Sequence, residues 1–83
     1  MYKLNILRKA MKDIAKLPNE YTRLVSKHID GLAQNPCPPD AKKLTNDPGY
    51  SLRVGVYRIL YDIDDEAQIV TVYRVKHRSD AYR

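Results

Sequence analysis

The chain contains one cysteine, three glycines and no apolar run long enough for a membrane helix. Each scarcity closes off a class of protein. A lone thiol, Cys37, cannot form an internal disulfide, which fits a reducing cytoplasm rather than a disulfide-stapled secreted domain. It sits in Asn35-Pro36-Cys37-Pro38-Pro39 without a His or carboxylate at catalytic spacing, so it reads as a loop residue. No stretch nears the ~20 apolar residues of a membrane span, and no secretory apolar segment follows Met1, so a cytoplasmic domain without a membrane partner is expected. The few glycines form no phosphate-cradling loop, and no Cys/His/carboxylate group has ligand spacing. Asp64-Asp65-Glu66 are three adjacent carboxylates in a turn, without the spacing that holds a cation. No metal or cofactor is expected. With 83 residues the chain is one domain, and a domain this short has little stability to spare.

What the chain does carry is positive charge. Its formal net charge is +5 and its pI near 9.4, which favours an anionic partner: RNA, DNA or an acidic protein. Residues 2–7 alternate in polarity and read as a short strand. From Arg8 the period changes, and Ala10, Ile14 and Leu17 recur at helical spacing until Pro18 ends the segment. Asn19 is placed to cap a second helix over residues 20–33, with Tyr21, Leu24, Val25, Ile29 and Leu32 on one stripe. His28 lies on its flank as a boundary residue. A proline-rich loop follows, then an irregular stretch from Ala41 ending in the turn Asn46-Asp47-Pro48-Gly49. The expected fold is α+β, in the order β-α-α-β-β-β. Three consecutive antiparallel strands form the sheet, the first strand adds beside the last, and a two-helix hairpin covers one face.

Between the last strands, Gly55-Val56 reads as a two-residue type II′ turn. Pairing then sets Val54 opposite Tyr57, Arg53 opposite Arg58 and Leu52 opposite Ile59. Leu52, Val54, Tyr57, Ile59 and Tyr61 form the core face, and Ser51, Arg53, Arg58, Leu60 and Asp62 the other. Directly opposed arginines repel. Either an anion binds between them, or Asp62, Asp64, Asp65 or Glu66 neutralises them, or both point into water. The strand from Ala67 to about Val75 is rich in β-branched residues and is expected to be central. After it come Lys76, His77 and Arg78, either a functional basic group or a frayed tail. Within that group His77 is the natural acid/base, and arginines serve as phosphate clamps.

Lys43-Leu44, the run Leu52-Arg53-Val54-Gly55-Val56-Tyr57-Arg58-Ile59-Leu60-Tyr61-Asp62-Ile63-Asp64, the ending Val75-Lys76-His77-Arg78-Ser79-Asp80-Ala81-Tyr82-Arg83, and Leu32-Ala33-Gln34-Asn35-Pro36 form four segments. Taken together they resemble the RelE branch of the RelE/ParE toxin superfamily across essentially the whole chain. The resemblance implies a toxin that enters the ribosomal A site and cuts mRNA through the mRNA's own 2′-OH, without a metal. It implies catalytic roles for Arg53, Arg58, His77 and Tyr82. Arg58 would contact the scissile phosphate, His77 would be the base, and Tyr82 would stack on a base or orient the nucleophile. Substrate contacts fall to Lys76, Arg78, Ser51 and Lys43. Two departures stand out: Ser51 replaces a lysine of well-known members, and the chain stops one residue after Tyr82 without their further helix. A ParE-like alternative shares the fold but inhibits DNA gyrase by protein contact. Either implies an antitoxin whose carboxy-terminal segment wraps the domain over the Arg53/Arg58/Tyr82 region, with the free toxin monomeric and the complex oligomeric.

Overall fold

The computed structural model describes residues 1–45 and 49–81, with side chains described through residue 79. The chain forms β1 (Lys3–Ile6), α1 (Arg8–Ala15), α2 (Asn19–Leu32), β2 (Ala41–Lys43), β3 (Tyr50–Val54), β4 (Tyr57–Asp64), β5 (Ile69–His77) and α3 (Arg78–Ala81). The strands make one sheet in the order β1-β5-β4-β3-β2. β2 to β5 pair antiparallel, while β1 adds beside β5 in parallel. The expected order holds, with β5 inside the sheet, and two short elements are added to it.

The first addition corrects the reading of residues 41–49 as irregular. Ala41–Lys43 pairs with β3, setting Ala41 opposite Leu52, Lys42 opposite Ser51 and Lys43 opposite Tyr50. Three residues are too few to show a period, so this strand comes from pairing and not from pattern. The Asn46-Asp47-Pro48 part of the expected turn lies outside the described residues. Gly49 beyond it has φ +103°, and a Cβ there would stand 2.6 Å from the Tyr61 carbonyl oxygen and 2.8 Å from the Tyr73 hydroxyl. Only glycine fits.

The helices form the expected hairpin, with a different joint. Pro18, not Asn19, precedes α2, and no side chain caps it. Proline's fixed φ suits the helix entry, and its carbonyl accepts from the N–H groups of Tyr21 and Thr22, each at 2.9 Å. Thr22 Oγ1 lies 3.2–3.3 Å from the carbonyls of Ile14, Leu17 and Pro18, tying the end of α1 to the start of α2. Ala10, Val25, Ile29 and Leu32 press on Leu52, Val54, Ile59, Tyr61, Val70, Val72 and Val75, all buried. Leu24 does not join them. It is 41% exposed and borders a groove instead. The Tyr61 hydroxyl donates to the Pro36 carbonyl at 2.6 Å, fastening the proline-rich loop to the core, and burial pushes its pKa well up.

Two features of β5 position the far end of the sheet. Its register shifts between Leu60 and Tyr61, which oppose Arg74 and Val72, so Tyr73 is bulged out. Without that extra residue the alternation from Val70 and Val72 would send Arg74 inward and Lys76 toward the helices. With it, Val75 enters the core beside Ile59 and Lys76 turns to the face opposite α1 and α2. Beyond Val72, moreover, β1 has ended and β5 has no strand on that side. Asp13 of α1 takes its place. It accepts from the Val75 N–H at 3.0 Å and from Arg74 through Nε at 2.8 Å and Nη2 at 3.2 Å. Partial burial opposes ionisation of Asp13, but these hydrogen bonds and the charges of Arg74 and Lys16 outweigh it and hold the carboxyl below its ordinary range.

Candidate functional site

The Gly55-Val56 turn forms as the sequence requires. Gly55 has φ +60°, as the first position of a type II′ turn needs, and the Tyr21 ring would lie 3.1 Å from a Cβ placed there. The register is the expected one, with Arg53 opposite Arg58. The next strand continues the row, because Arg58 opposes Lys76. Three cations thus stand abreast on β3, β4 and β5, on neighbouring strands ~4.8 Å apart. Arg53 is exposed and Arg58 half-buried.

Opposed like charges on a sheet cost up to ~1 kcal/mol a pair, and Asp62, Asp64, Asp65 and Glu66 lie away from this one. Asp62 lies four residues along β4 from Arg58, ~13 Å at the strand rise. Asp64 opposes Ile69 at the far end, in the same direction as the turn that holds Asp65 and Glu66. Asp65 accepts the Tyr2 hydroxyl at 2.6 Å, which raises the tyrosine's pKa. The carboxylate that shares a cavity with the two arginines is instead that of Asp40.

Nor is the basic ending a frayed tail as far as residue 79. β5 runs through His77, and the Arg78 N–H donates to the Val56 carbonyl at 2.6 Å, folding the chain back over the hairpin turn. Arg78 and Ser79 close a cavity of about 360 Å³ with Arg53 and Arg58. A second cavity of about 380 Å³, lined by Pro39, Asp40, Lys42 and Gly55, shares the same two arginines.

The structure thus brings Arg53, Arg58 and Arg78 around one cavity, with Lys76 beside Arg58 in register and also bordering a cavity with Asp13 and His77. Other residues singled out from the sequence stand apart. His77 opposes Tyr57 and so faces the helix side, edge-on to the Tyr57 ring at 5.7 Å. Its link to the cationic cavity is Ser79, whose hydroxyl lies 3.0 Å from His77 Nδ1 and whose N–H donates to the same atom at 3.3 Å. An N–H can only donate, so Nδ1 is the accepting nitrogen. Ser51 faces the arginines' side but is only 4% exposed, between Lys42 and Leu60 in register. Lys43 opposes Tyr50, on the helix side of the edge strand. Tyr82 lies outside the described residues.

Sequence reading missed Lys42 and Ser79. Lys42 could not be placed without the unforeseen β2. Its neighbour Lys43, one residue away, faces the other side. For Lys76 a signal existed, since Val72 and Val75 are three apart where strict alternation requires two, as a bulge produces.

Chemically, a rigid row of guanidinium and ammonium groups flanked by two cavities can hold a phosphate and stabilise added negative charge on it. The family model for the ParE toxin of the type II toxin–antitoxin system, parDE, matches residues 4–82. Toxin RelG of Mycobacterium tuberculosis is 36% identical, in an alignment covering 99% of this chain and 97% of that protein. The crystal structure of the toxin–antitoxin complex RelBE2 from Mycobacterium tuberculosis superposes with a TM-score of 0.82 at 34% identity, over 93% of this chain and 98% of that one. The archaeal RelE–RelB complex from Pyrococcus horikoshii OT3 also gives 0.82, at 25% identity over 93% and 94%.

Proposed function

The chain belongs to the RelE/ParE toxin family of type II toxin–antitoxin systems, and from that premise we propose that it is a ribosome-dependent mRNA endonuclease. It is the toxin of a RelBE-type system. The observation that carries the finer reading is the Arg53–Arg58–Lys76 row, three cations held in register on neighbouring strands. A protein-contact inhibitor has no need of such a row, whereas phosphoryl chemistry does.

In this reading the scissile phosphate sits between Arg53, Arg58 and Arg78. The 2′-oxygen attacks phosphorus as the bond to the 5′-oxygen breaks. The products are a 2′,3′-cyclic phosphate and a 5′-hydroxyl. The arginines and Lys76 stabilise the charge gathering on the phosphoryl oxygens. The 2′-OH proton passes to the Ser79 hydroxyl as that hydroxyl gives its own proton to His77 Nδ1, so His77 acts from the other face through Ser79. Arg58, half-buried behind the phosphate, is the proposed donor to the leaving 5′-oxygen, and Tyr82 is proposed to stack on a flanking base.

The proposed partner is a cognate antitoxin with a carboxy-terminal segment that orders on binding. RelBE2 of Mycobacterium tuberculosis is a toxin–antitoxin complex, and the Pyrococcus horikoshii neighbour is a RelE–RelB complex, which supports an antitoxin partner. A groove of about 420 Å³ between α2 and the proline-rich loop, bordered by Leu24, Gly31, Leu32, Pro38 and Leu52, offers the apolar part of the docking surface. Purified chain added to programmed ribosomes, with mRNA ends mapped and gyrase supercoiling measured in parallel, tests the reading. It predicts discrete A-site ends and unimpeded supercoiling. Intact mRNA with blocked supercoiling would establish the gyrase-inhibiting alternative.

A further inference from the structure

The Arg53–Arg58 pair borders two cavities, and the proposed reaction uses one. The first, closed by Arg78 and Ser79, has no carboxylate among its described lining residues. The second lies toward the β2 edge, where Lys42 adds a third cation and Asp40 a carboxylate. Lys42 opposes Ser51, two residues before Arg53 on the neighbouring strand. It is therefore a diagonal neighbour of Arg53 on the same face, ~7–8 Å away at the backbone. Lys42 is exposed, so its ammonium can swing over the cavity floor.

We propose that this second cavity is a phosphate subsite for the mRNA phosphodiester next to the scissile one, with Lys42 as its anchor. The proposal rests on the nuclease reading above. The two shared arginines bridge two successive phosphates: Arg78 completes the reacting site and Lys42 the flanking one. Asp40 fits this division. It weakens the hold on an anion, which suits a phosphate that is gripped and released unchanged. Lys42 thus acts on binding, while the row beside it acts on the chemical step.

The test is single-turnover cleavage on programmed ribosomes, titrating toxin to obtain the half-saturating concentration and the maximal rate separately. Lys42→Gln is expected to raise the half-saturating concentration five- to tenfold and leave the maximal rate within twofold. Lys42→Arg should behave as wild type, and Asp40→Asn should saturate at lower concentration. The slope of log affinity against log salt should become shallower by about 0.7 in Lys42→Gln, one single-strand phosphate contact. Lys9→Gln, the same charge change on α1, should alter neither quantity.

mRNAs carrying a neutral methylphosphonate one step 5′ or one step 3′ of the cut identify the phosphate. On one of them wild type should lose the same factor, and Lys42→Gln should lose nothing more. Unchanged saturation in Lys42→Gln, or a lowered maximal rate, overturns the subsite while wild-type cleavage leaves the nuclease reading standing. A Lys42 effect that persists on both modified mRNAs assigns the phosphate to ribosomal RNA and also overturns it. Absence of wild-type cleavage removes the nuclease reading itself, and the subsite with it.

Discussion

Asp13 holds the β5 edge where β1 stops, and its removal should be costly for so small a domain. In Asp13→Ala the Val75 N–H loses its acceptor on a residue only 4% exposed. A buried donor left unsatisfied costs about 1–3 kcal/mol. The Arg74 contact adds less, since the two side chains are 36% and 16% exposed and solvent screens the pair to about 0.5–1 kcal/mol. The sum, about 1.5–4 kcal/mol, is a large part of the ~4–12 kcal/mol that 83 residues ordinarily supply. Urea unfolding followed by circular dichroism should show the midpoint falling by about 1.5–4 M, for a slope near 1 kcal/mol/M. Arg74→Ala should cost about 0.5–1 kcal/mol, because the bond to Val75 survives. The folded carboxyl of Asp13 is held below its ordinary range, so its contribution is complete above the unfolded value of about 3.9 and fades as pH falls through the lower folded value. Asp13→Asn should therefore flatten the acid limb below about pH 4. A loss under about 0.5 kcal/mol in Asp13→Ala, or an equal loss in Arg74→Ala, would refute the edge-clip account.

Two further predictions concern the cationic face and its base. Arg53→Thr removes one of two opposed arginines and adds a β-favouring side chain, so it should raise stability by about 0.5 kcal/mol in the same urea assay while slowing mRNA cleavage; lower stability would count against a repulsive row. Ser79→Ala should abolish the fall in cleavage rate at low pH that a histidine base gives wild type, and His77→Ala should do likewise; a pH–rate profile unchanged by Ser79→Ala would show that His77 does not act through that hydroxyl. The groups around His77 that could also shape this profile are Asp13 and Lys16 of α1, Tyr57 of β4, and Arg74 and Lys76 of β5.

The hairpin was fully legible in sequence because a two-residue turn leaves one register, so Arg53 opposite Arg58 and the Leu52-Val54-Ile59-Tyr61 core face followed from Gly55 alone. The helices were legible from their apolar spacing. Leu24 fell on the stripe by angle, yet no strand residue covers it, because the groove beside the proline-rich loop opens there. What could not be read was whatever depends on partners distant in sequence. β2 exists only against β3, and the β5 bulge, hinted at by the three-residue spacing of Val72 and Val75, is placed only by the pairing of Val75 with Ile59. These two features decide that Lys42 and Lys76 face the arginines while Lys43 and His77 face the helices. A one-residue slip in a strand moves a side chain to the other face, which is why the candidate site was legible in composition and only partly in geometry.

The central proposal is that the sheet face opposite α1 and α2 cuts mRNA, with Arg58 at the reacting phosphate. The most direct measurement is the single-turnover cleavage rate on programmed ribosomes for wild type and Arg58→Ala, with the ends characterised chemically. The account predicts 2′,3′-cyclic phosphate and 5′-hydroxyl ends in wild type and a rate about 10²–10³-fold lower in Arg58→Ala. Cleavage by Arg58→Ala within threefold of wild type, or 3′-hydroxyl ends in wild type, would contradict it.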